Sequence, residues 1–219
     1  MTPLVIFGTG AFAEIAHYYF TRDSDYCVKA FTVDAEYVAG ATFLGLPVVA
    51  FEDIVAAFPP DQNTMFIAMG IQKVNRQRAG KVAEAEARGY RLAGYVSPKA
   101  HVAGDLIVNP NTFIMEDVCM LPGVVVGRDS ILWPRCAIGF RTRIGDHCWL
   151  VAAVVGESVE VGDHTFIGLN ATVASSRTIG PSNVIGAGAL VLENTKEFAI
   201  YKGQAARPSR VPSHRLRRI

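Results

Sequence analysis

The aliphatic residues in the second half of the chain recur at every sixth position. From Val96 to Leu150 each sixth residue is aliphatic or methionine, and after a slip of one residue the period resumes from Val155 to Val191. A glycine follows the periodic residue at 127, 139, 145, 156, 162, 168, 180 and 186. Helices repeat every ~3.6 residues and strands every ~2, so neither explains this pattern. A hexapeptide repeat is typical of a parallel β-helix, in which the aliphatic residues stack inward and glycine permits the turn.

The first part of the chain has another pattern, in which short apolar runs alternate with amphipathic runs. The predicted strands are 4–8, 28–34, the segment Leu-Pro-Val-Val at 46–49, 64–70 and a closing strand at 92–96; the predicted helices are 11–20, 51–58 and 72–88. This alternation predicts a parallel sheet. We therefore expect three parts: an α/β unit over 1–95, a β-helix over 96–195, and an irregular basic tail over 196–219 that packs no core of its own.

Composition limits the possible partners. No apolar run approaches the length of a membrane span, and the N-terminus lacks the charged region of a signal peptide. The four cysteines show no CxxC spacing, so we expect reduced thiols and a cytoplasmic protein. The last thirteen residues carry arginines at 207, 210, 215, 217 and 218 and no acid, which suits either an anion-binding or a solvated end. No basic stripe is interleaved with aromatic residues, so a nucleic-acid partner is not expected.

A glycine motif follows the first predicted strand. Gly8-Thr9-Gly10-Ala11-Phe12-Ala13 opens a helix, where backbone N–H groups can approach a phosphate. Asp34 ends the second strand, where an acid accepts hydrogen bonds from a ribose hydroxyl, and Gly70 ends a strand at the same sheet edge. These residues predict a nucleotide-containing ligand; a tight structural turn is the alternative. A dehydrogenase is disfavoured, because a β-helix offers no site for hydride transfer.

The two parts together resemble one family. A small Rossmann-like domain precedes a left-handed β-helix that ends VIGAGALVLENT…YKGQAAR, and the segments FGTGAFA, RIGDHCWL and HTFIGLNATV fit the same group. The chain is similar over nearly its whole length to the NeuD-like sialic acid O-acetyltransferases and nucleotide-aminosugar N-acetyltransferases, which are hexapeptide-repeat acyltransferases.

The resemblance implies a homotrimer that uses acetyl-CoA as co-substrate on a nucleotide-linked sugar, in bacterial surface polysaccharide synthesis. The residues that it implies at the sugar nucleotide are Gly10, Ala11, Phe12, Asp34 and Gly70. At the coenzyme it implies backbone around Leu169 and Ala187, for which an exposed apolar residue and repeat packing are the alternatives, together with Trp149, where some relatives place a histidine.

The sequence departs from the family at the catalytic base. Relatives carry a histidine just before the Ile-Gly-Asp motif, which takes the proton of the attacking amine or hydroxyl. Here Phe140 stands at that position and Arg141 at its polar neighbour, and neither side chain accepts a proton at neutral pH. The slip after Leu150 falls close by in sequence.

Two other histidines are weak candidates for the base. His147 and His164 follow Gly-Asp in matching frames and are 17 residues apart, about one coil, so we expect them to stack on one edge. Two surface-turn histidines are the alternative. β-Helix carbonic anhydrases bind zinc through three histidines, and two stacked histidines do not make that set, so no metal is predicted.

Three functions remain open from the sequence. The first is an acyl-CoA-dependent transferase that acts on the amino or hydroxyl group of a nucleotide-linked sugar, with positioning as a large contribution to rate. The second is a degenerate relative that binds a sugar nucleotide without acyl transfer. The third is a structural trimer in a polysaccharide-assembly complex.

Overall fold

The first part of the chain folds around a six-stranded sheet of order β3-β4-β2-β1-β5-β6. A computed structural model describes residues 1–104, 106–208, 211 and 213–215. The elements of this part are β1 (Thr2–Phe7), α1 (Ala11–Asp23), β2 (Tyr26–Val33), β3 (Thr42–Phe43), β4 (Leu46–Ala50), α2 (Ile54–Ala57), β5 (Thr64–Ile67), α3 (Arg76–Ala87) and β6 (Arg91–Leu92). All neighbouring strands are parallel except the β3–β4 hairpin.

Strand β1 lies at the centre of this sheet, and its two faces build two cores. Leu4 and Ile6 belong to a cluster with α1, and Val5 and Phe7 belong to a cluster with Val82 of α3. Alternate residues of a strand point to opposite faces, so a continuous apolar run is what a strand covered on both sides requires.

Several elements differ from the sequence-based expectation. The helix expected over 51–58 is a 3-10 turn (Phe51–Asp53) followed by the short α2, and the tail expected to be irregular contains a strand, Ile200–Tyr201. Helix α3 begins at Arg76 rather than at residue 72, because Lys73, Val74 and Asn75 have positive φ angles (49°, 52° and 64°) and cannot continue a right-handed helix. The hairpin strand β3 carries no strong alternation and was not predicted. The expected closing strand at 92–96 is divided, since Leu92 pairs with β5 whereas Tyr95 pairs with the β-helix.

The second part consists of two-residue parallel strands in three stacked sheets. The strands are β7 (Tyr95–Val96), β8 (Phe113–Ile114), β9 (Cys119–Met120), β10 (Val125–Val126), β11 (Ile131–Leu132), β12 (Ala137–Ile138), β13 (Arg143–Ile144), β14 (Trp149–Leu150), β15 (Val154–Val155), β16 (Glu160–Val161), β17 (Phe166–Ile167), β18 (Thr172–Val173), β19 (Thr178–Ile179), β20 (Val184–Ile185), β21 (Leu190–Val191) and β22 (Ile200–Tyr201). Their sheet orders are β22-β20-β17-β14-β11-β8-β7, β21-β18-β15-β12-β9 and β10-β13-β16-β19. This arrangement of short strands fits a left-handed β-helix.

The hexapeptide period describes the inner core of this part. From Ile114 to Val191 the periodic residue of each strand is buried in one continuous cluster. Val102 and Val108, the second and third residues of the periodic series, do not form named strands. They lie in an irregular stretch between β7 and β8.

The glycines of the repeat are required for a reason other than the turn. A Cβ atom on Gly139 would lie 2.4 Å from the backbone nitrogen of Glu157, and one on Gly127 would lie 2.5 Å from the carbonyl carbon of Gly145. These glycines thus allow successive coils to approach each other. The left-handed corner conformation is adopted instead by other residues, among them His147 and His164 with φ angles of 58°.

The one-residue slip is absorbed at a corner of the β-helix. Strand β15 still pairs in register with β12, and the shortened corner between β14 and β15 contains Ala152 with a φ angle of 43°. Phe140 follows the C-terminal end of β12, whereas this corner precedes the N-terminal end of β15. Because β12 and β15 are adjacent and parallel, the slip and Phe140 lie on opposite edges of the sheet. Their proximity in sequence does not carry over into space.

The two parts pack through a dense aromatic core. Outward residues of the seven-stranded sheet, including Phe113 and Trp149, join the cluster that contains Phe12 and Phe20 of α1. The ring centroids of Phe20 and Phe113 are 5.6 Å apart, in an edge-to-face arrangement. Buried aromatic residues supply large apolar contact areas, so the contact between the parts is an extension of the core.

Candidate functional site

A cleft opens at the carboxyl ends of the central strands of the first sheet. Its volume is about 720 Å³, and its walls come from the ends of β1, β2 and β5 and from one side of α3. In open α/β sheets this is the edge where ligands bind. Three of the predicted substrate residues, Gly10, Asp34 and Gly70, line this cleft although they are distant in sequence.

The floor of the cleft is formed by the turn between β1 and α1. Gly8 has a φ angle of +122°, and a Cβ atom there would lie 2.7 Å from the carbonyl oxygen of Ala68. Gly10 is the N-cap of α1 and makes no side-chain cap, so the first N–H groups of the helix are left for a ligand. Such an N-terminus attracts anions.

The remaining predicted substrate residues lie elsewhere. Ala11 is exposed at the first position of α1. Phe12 is 9% exposed and points away from the cleft into the aromatic core, where its ring centroid lies 4.9 Å from that of Trp149. Phe12 therefore supports the helix that carries the cleft.

Opposite charges face each other across the cleft. The Nζ of Lys81 donates hydrogen bonds to Asp34 at 2.8 Å and to Glu84 at 2.7 Å. Burial lowers the pKa of Lys81, but the hydrogen bonds to the two carboxylates outweigh this effect, so that the pKa is raised and the amine is charged. The cleft thus offers both carboxylate acceptors and a cation to a polar ligand.

The position expected for the base lies on an exposed corner of the β-helix. Phe140 is 37% exposed, and the guanidinium of Arg141 covers its ring at 4.8 Å. The carbonyl oxygen of Phe140 accepts the N–H of Ser158 in the next coil. This corner is regular in its backbone, but Phe140 and Arg141 provide no proton acceptor.

The residues expected at the coenzyme separate into two places. Leu169 and Ala187 are exposed on adjacent coils of one corner, where the N–H of Gly188 donates to the carbonyl oxygen of Leu169 at 2.8 Å. Trp149 is only 6% exposed and lies between the two parts of the chain, with the guanidinium of Arg78 5.2 Å from its ring.

The two candidate histidines are neighbours, as their 17-residue spacing predicted. Their rings are stacked with centroids 4.8 Å apart and an interplanar angle of 16°. The Nδ1 of His147 lies 2.8 Å from the Oδ2 of Asp129, a carboxylate that is fully buried. Asp129 was not among the residues predicted from the sequence, although it lies 18 residues before His147, the distance of one coil.

Helix α3 completes this cluster from the other part of the chain. The Nε of Arg78 donates to the Oδ1 of Asp129 at 2.8 Å, and neither side chain is exposed. Arg76 at the start of the helix donates to the hydroxyl of Ser182 at 2.9 Å and also lines the cleft. The cluster therefore lies directly beside the cleft.

The cysteines do not supply a nucleophile in the core. All four are free. Burial raises the pKa of Cys136 to about 11 and that of Cys148 to about 12, so both remain thiols at neutral pH. Cys119 is exposed on the five-stranded sheet.

Among the residues that the structure describes, no three or more His, Cys, Asp or Glu side chains are grouped so that they could hold a metal ion. No helix among those residues has the length and apolarity needed to cross a membrane.

The arginines of the basic tail are described only in part. Arg207 is exposed and Arg215 lies in a 3-10 turn, whereas residues 210, 217 and 218 fall outside the described residues.

Comparison with known proteins gives similarity to acyltransferases. No protein-family model matches the chain. The 2,3,4,5-tetrahydropyridine-2,6-dicarboxylate N-succinyltransferase of Xylella fastidiosa is 26% identical over 127 residues, which are 49% of this chain and 46% of that protein. The chain thus spans about half the length of this curated relative.

Solved structures match over almost the whole chain. A perosamine N-acetyltransferase variant from Caulobacter crescentus, solved with CoA and GDP-perosamine, has a TM-score of 0.82 at 24% identity and covers 93% of this chain and 94% of its own. The acetyltransferase domain of PglB from Neisseria gonorrhoeae, solved with acetyl coenzyme A, has a TM-score of 0.67 at 20% identity and covers 94% and 98%. The chain therefore has the fold of these acetyltransferases.

Proposed function

We propose that this protein is an acyltransferase that moves an acetyl group from acetyl-CoA to an amino or hydroxyl group of a nucleotide-linked sugar. The observation that carries the proposal is the convergence of Gly10, Asp34 and Gly70 on one cleft beside a β-helix edge. The solved neighbours with CoA and with acetyl coenzyme A support acetyl-CoA as the co-substrate. The neighbour with GDP-perosamine supports a nucleotide sugar as the acceptor.

In this proposal the first part of the chain is a Rossmann-like domain that holds the nucleotide. The N-terminus of α1 at Gly10 binds the diphosphate, and Asp34 accepts hydrogen bonds from the ribose. The support is the spatial order of the five parallel strands, which is 3-2-1-4-5 in chain order and places the cleft beside the central strand.

The β-helix holds the acyl donor in the same proposal. Leu169 and Ala187 are exposed on adjacent coils of one corner, which suits the extended arm of CoA. The acceptor nitrogen or oxygen attacks the thioester carbonyl carbon, a C–N or C–O bond forms, the C–S bond breaks, and the acceptor proton passes to a base. Two substrates held side by side gain much of the rate acceleration from positioning alone.

A homotrimer is part of the proposal and is supported by one face of the β-helix. Outward residues of the five-stranded sheet are mostly apolar: Cys119, Ala137, Val154, Thr172 and Leu190. The four-stranded sheet instead carries the exposed pair Arg143 and Glu160. Exposed apolar faces of this kind mark association surfaces.

A cytoplasmic location and a role in surface polysaccharide synthesis complete the proposal. The cytoplasmic location is supported by the four free cysteines.

The test measures free CoA. Purified protein is incubated with acetyl-CoA and a panel of UDP-, GDP- and dTDP-linked aminosugars, and thiol release is followed over the hydrolysis background. The expected result is acceptor-dependent release with one nucleotide class. The absence of release with every acceptor would remove the proposed transferase.

A second candidate function, a sugar-nucleotide binder without transfer, is favoured by one observation. Phe140 and Arg141 occupy the corner where the resemblance implies the base, and Arg141 covers the ring of Phe140. The binder hypothesis expects thermal stabilisation by a nucleotide sugar without CoA release. It also expects that Phe140→His gains turnover, whereas the matched variant Phe140→Leu does not.

A further inference from the structure

A column of polar side chains runs along the β-helix edge that faces α3. It consists of the left-handed corner residues of five successive coils, which we call the corner column: Asn111, Asp129, His147, His164 and Ser182. Their φ angles lie between 52° and 58°. Asn, Asp and His tolerate this conformation better than most residues, so the backbone explains the residue types in part. It does not explain the contacts between the side chains.

Asp129 organises the lower part of the corner column. Its Oδ1 accepts hydrogen bonds from the Nδ2 of Asn111 at 2.7 Å and from the Nε of Arg78 at 2.8 Å. Its Oδ2 is left for the Nδ1 of His147 at 2.8 Å. Arg78 and Asn111 can act only as donors here, and both donate to Oδ1. Oδ2 therefore remains free to accept a hydrogen bond from the Nδ1–H of His147.

This contact favours one tautomer of His147. A buried carboxylate on Nδ1 holds the proton there and leaves Nε2 as the acceptor, which is the arrangement of a histidine base supported by an aspartate. The side chain of His147 is 18% exposed, so a substrate or a single water can reach it. Asp129 itself is fully buried and acts only through His147.

His164 covers the other face of the His147 ring. Its Nδ1 is buried and has no hydrogen-bond partner among the described residues. Burial lowers its pKa, and the neighbouring His147 and Arg76 lower it further. His164 is therefore neutral at pH 7 and does not oppose a positive charge on His147 as a second imidazolium would.

The corner column is joined to the cleft through Arg76. Arg76 lines the cleft and donates to Ser182, the last member of the corner column. The strained turn before α3 places this arginine, since Lys73, Val74 and Asn75 all have positive φ angles. Strain of this kind persists where the surrounding structure enforces it, and it is concentrated at functional sites.

We propose that His147 is the proton acceptor of the transfer reaction, positioned by Asp129, in place of the base that Phe140 does not provide. The inference rests on the proposed function. As the acceptor nitrogen or oxygen bonds to the acetyl carbon, its proton passes to Nε2 of His147, directly or through one water. The C–S electron pair leaves on sulfur, and the proton then moves from His147 to the thiolate, so that CoA departs as the thiol.

The first test compares matched asparagine variants. We expect His147→Asn to lower kcat by about 100-fold or more while the KM for the nucleotide sugar changes little. The control is His214→Asn, since His214 is exposed in the tail, outside the corner column, and should leave kcat unchanged. Thermal unfolding and nucleotide-sugar binding establish that each variant is folded. A folded His147→Asn variant with wild-type kcat would overturn the inference.

The pH profile separates proton transfer from a structural role. With His147 as base, kcat/KM rises with pH along an acidic limb, and His147→Asn removes that limb. The charged groups around the ring that enter this profile are Asp129, Asp146, Asp163, Arg76 and Arg78, and the titratable neighbour is His164. An unchanged acidic limb in the variant would assign proton transfer to another group.

A further measurement uses the wild-type protein and needs no turnover. Nitrogen-15 NMR of labelled histidine should show His147 with its proton on Nδ1 at pH 7.5, and Asp129→Asn should abolish this preference. A proton on Nε2 in the wild type would contradict the proposed role. An inactive wild type removes the proposed function together with this inference, whereas an active wild type with a fully active His147→Asn variant removes the inference alone.

Discussion

Arg78 of α3 and Asp129 of the β-helix form an ion pair with no exposed surface on either side chain. The guanidinium also donates to the carbonyl oxygen of Asp129 at 2.9 Å and to the side-chain oxygen of Asn75 at 3.2 Å. Such a fork is available to arginine and not to lysine. This pair fixes the helix that lines the cleft against the edge that carries His147.

Removal of the arginine is therefore expected to destabilise the protein strongly. Arg78→Ala leaves the buried carboxylate of Asp129 without its cation, and the free energy of unfolding should fall by about 3–5 kcal/mol. Arg143→Ala is the control, because Arg143 and Glu160 form an exposed pair and its loss should cost less than about 1 kcal/mol. Urea unfolding measures both. Equal losses in the two variants would contradict the importance of burial.

The role of Asp34 predicts weaker nucleotide binding. Asp34→Asn removes a charged acceptor from the cleft and should weaken the Kd for the nucleotide sugar by roughly 10-fold or more, the effect of a hydrogen bond to a charged group. Ligand-induced thermal stabilisation at a series of concentrations reports the Kd. Asp61→Asn is the control, since Asp61 is exposed and lies outside the cleft. An unchanged Kd in Asp34→Asn would exclude Asp34 from the site.

Acid is expected to destabilise the protein through His164. Burial holds the pKa of the folded group below the ordinary 6.5, so the unfolded chain takes up a proton first as the pH falls through 6.5. This contribution to stability is present in full above pH 6.5 and is lost below it. His164→Asn should therefore lose less stability than the wild type between pH 7.5 and 5.5, as chemical denaturation would measure. An identical loss in both proteins would assign the acid sensitivity to other groups.

The apolar face of the β-helix predicts the assembly. Val154→Glu places a charge among apolar outward residues and should dissociate the trimer in sedimentation velocity. Val125→Glu makes the same change at a valine of similar exposure (40% against 47%) on the four-stranded sheet and should leave the trimer intact. A monomeric wild type, or dissociation by both variants, would contradict the proposed face.

The β-helix was predictable from the sequence because its information is local. Each coil repeats the same inward aliphatic residue, and the 17-residue spacing was enough to predict the stack of His147 on His164. The cleft followed in part from strand order, since Gly10, Asp34 and Gly70 each follow a strand of the parallel sheet. Phe12 and Trp149 could not be separated from site residues, because their burial depends on how the two parts pack.

Periodicity and local motifs along the chain specify the coils and the parallel sheet, and they locate Phe140 where the resemblance implies the base. The acid that supports a histidine is specified only by contacts between distant parts of the chain. Asp129, Asp146 and Asp163 all occur near corners of the repeat, and Asp129 is distinguished by Arg78, which approaches from a helix about fifty residues earlier in the chain. A buried charge requires its partner in space, and no pattern along the chain encodes that contact.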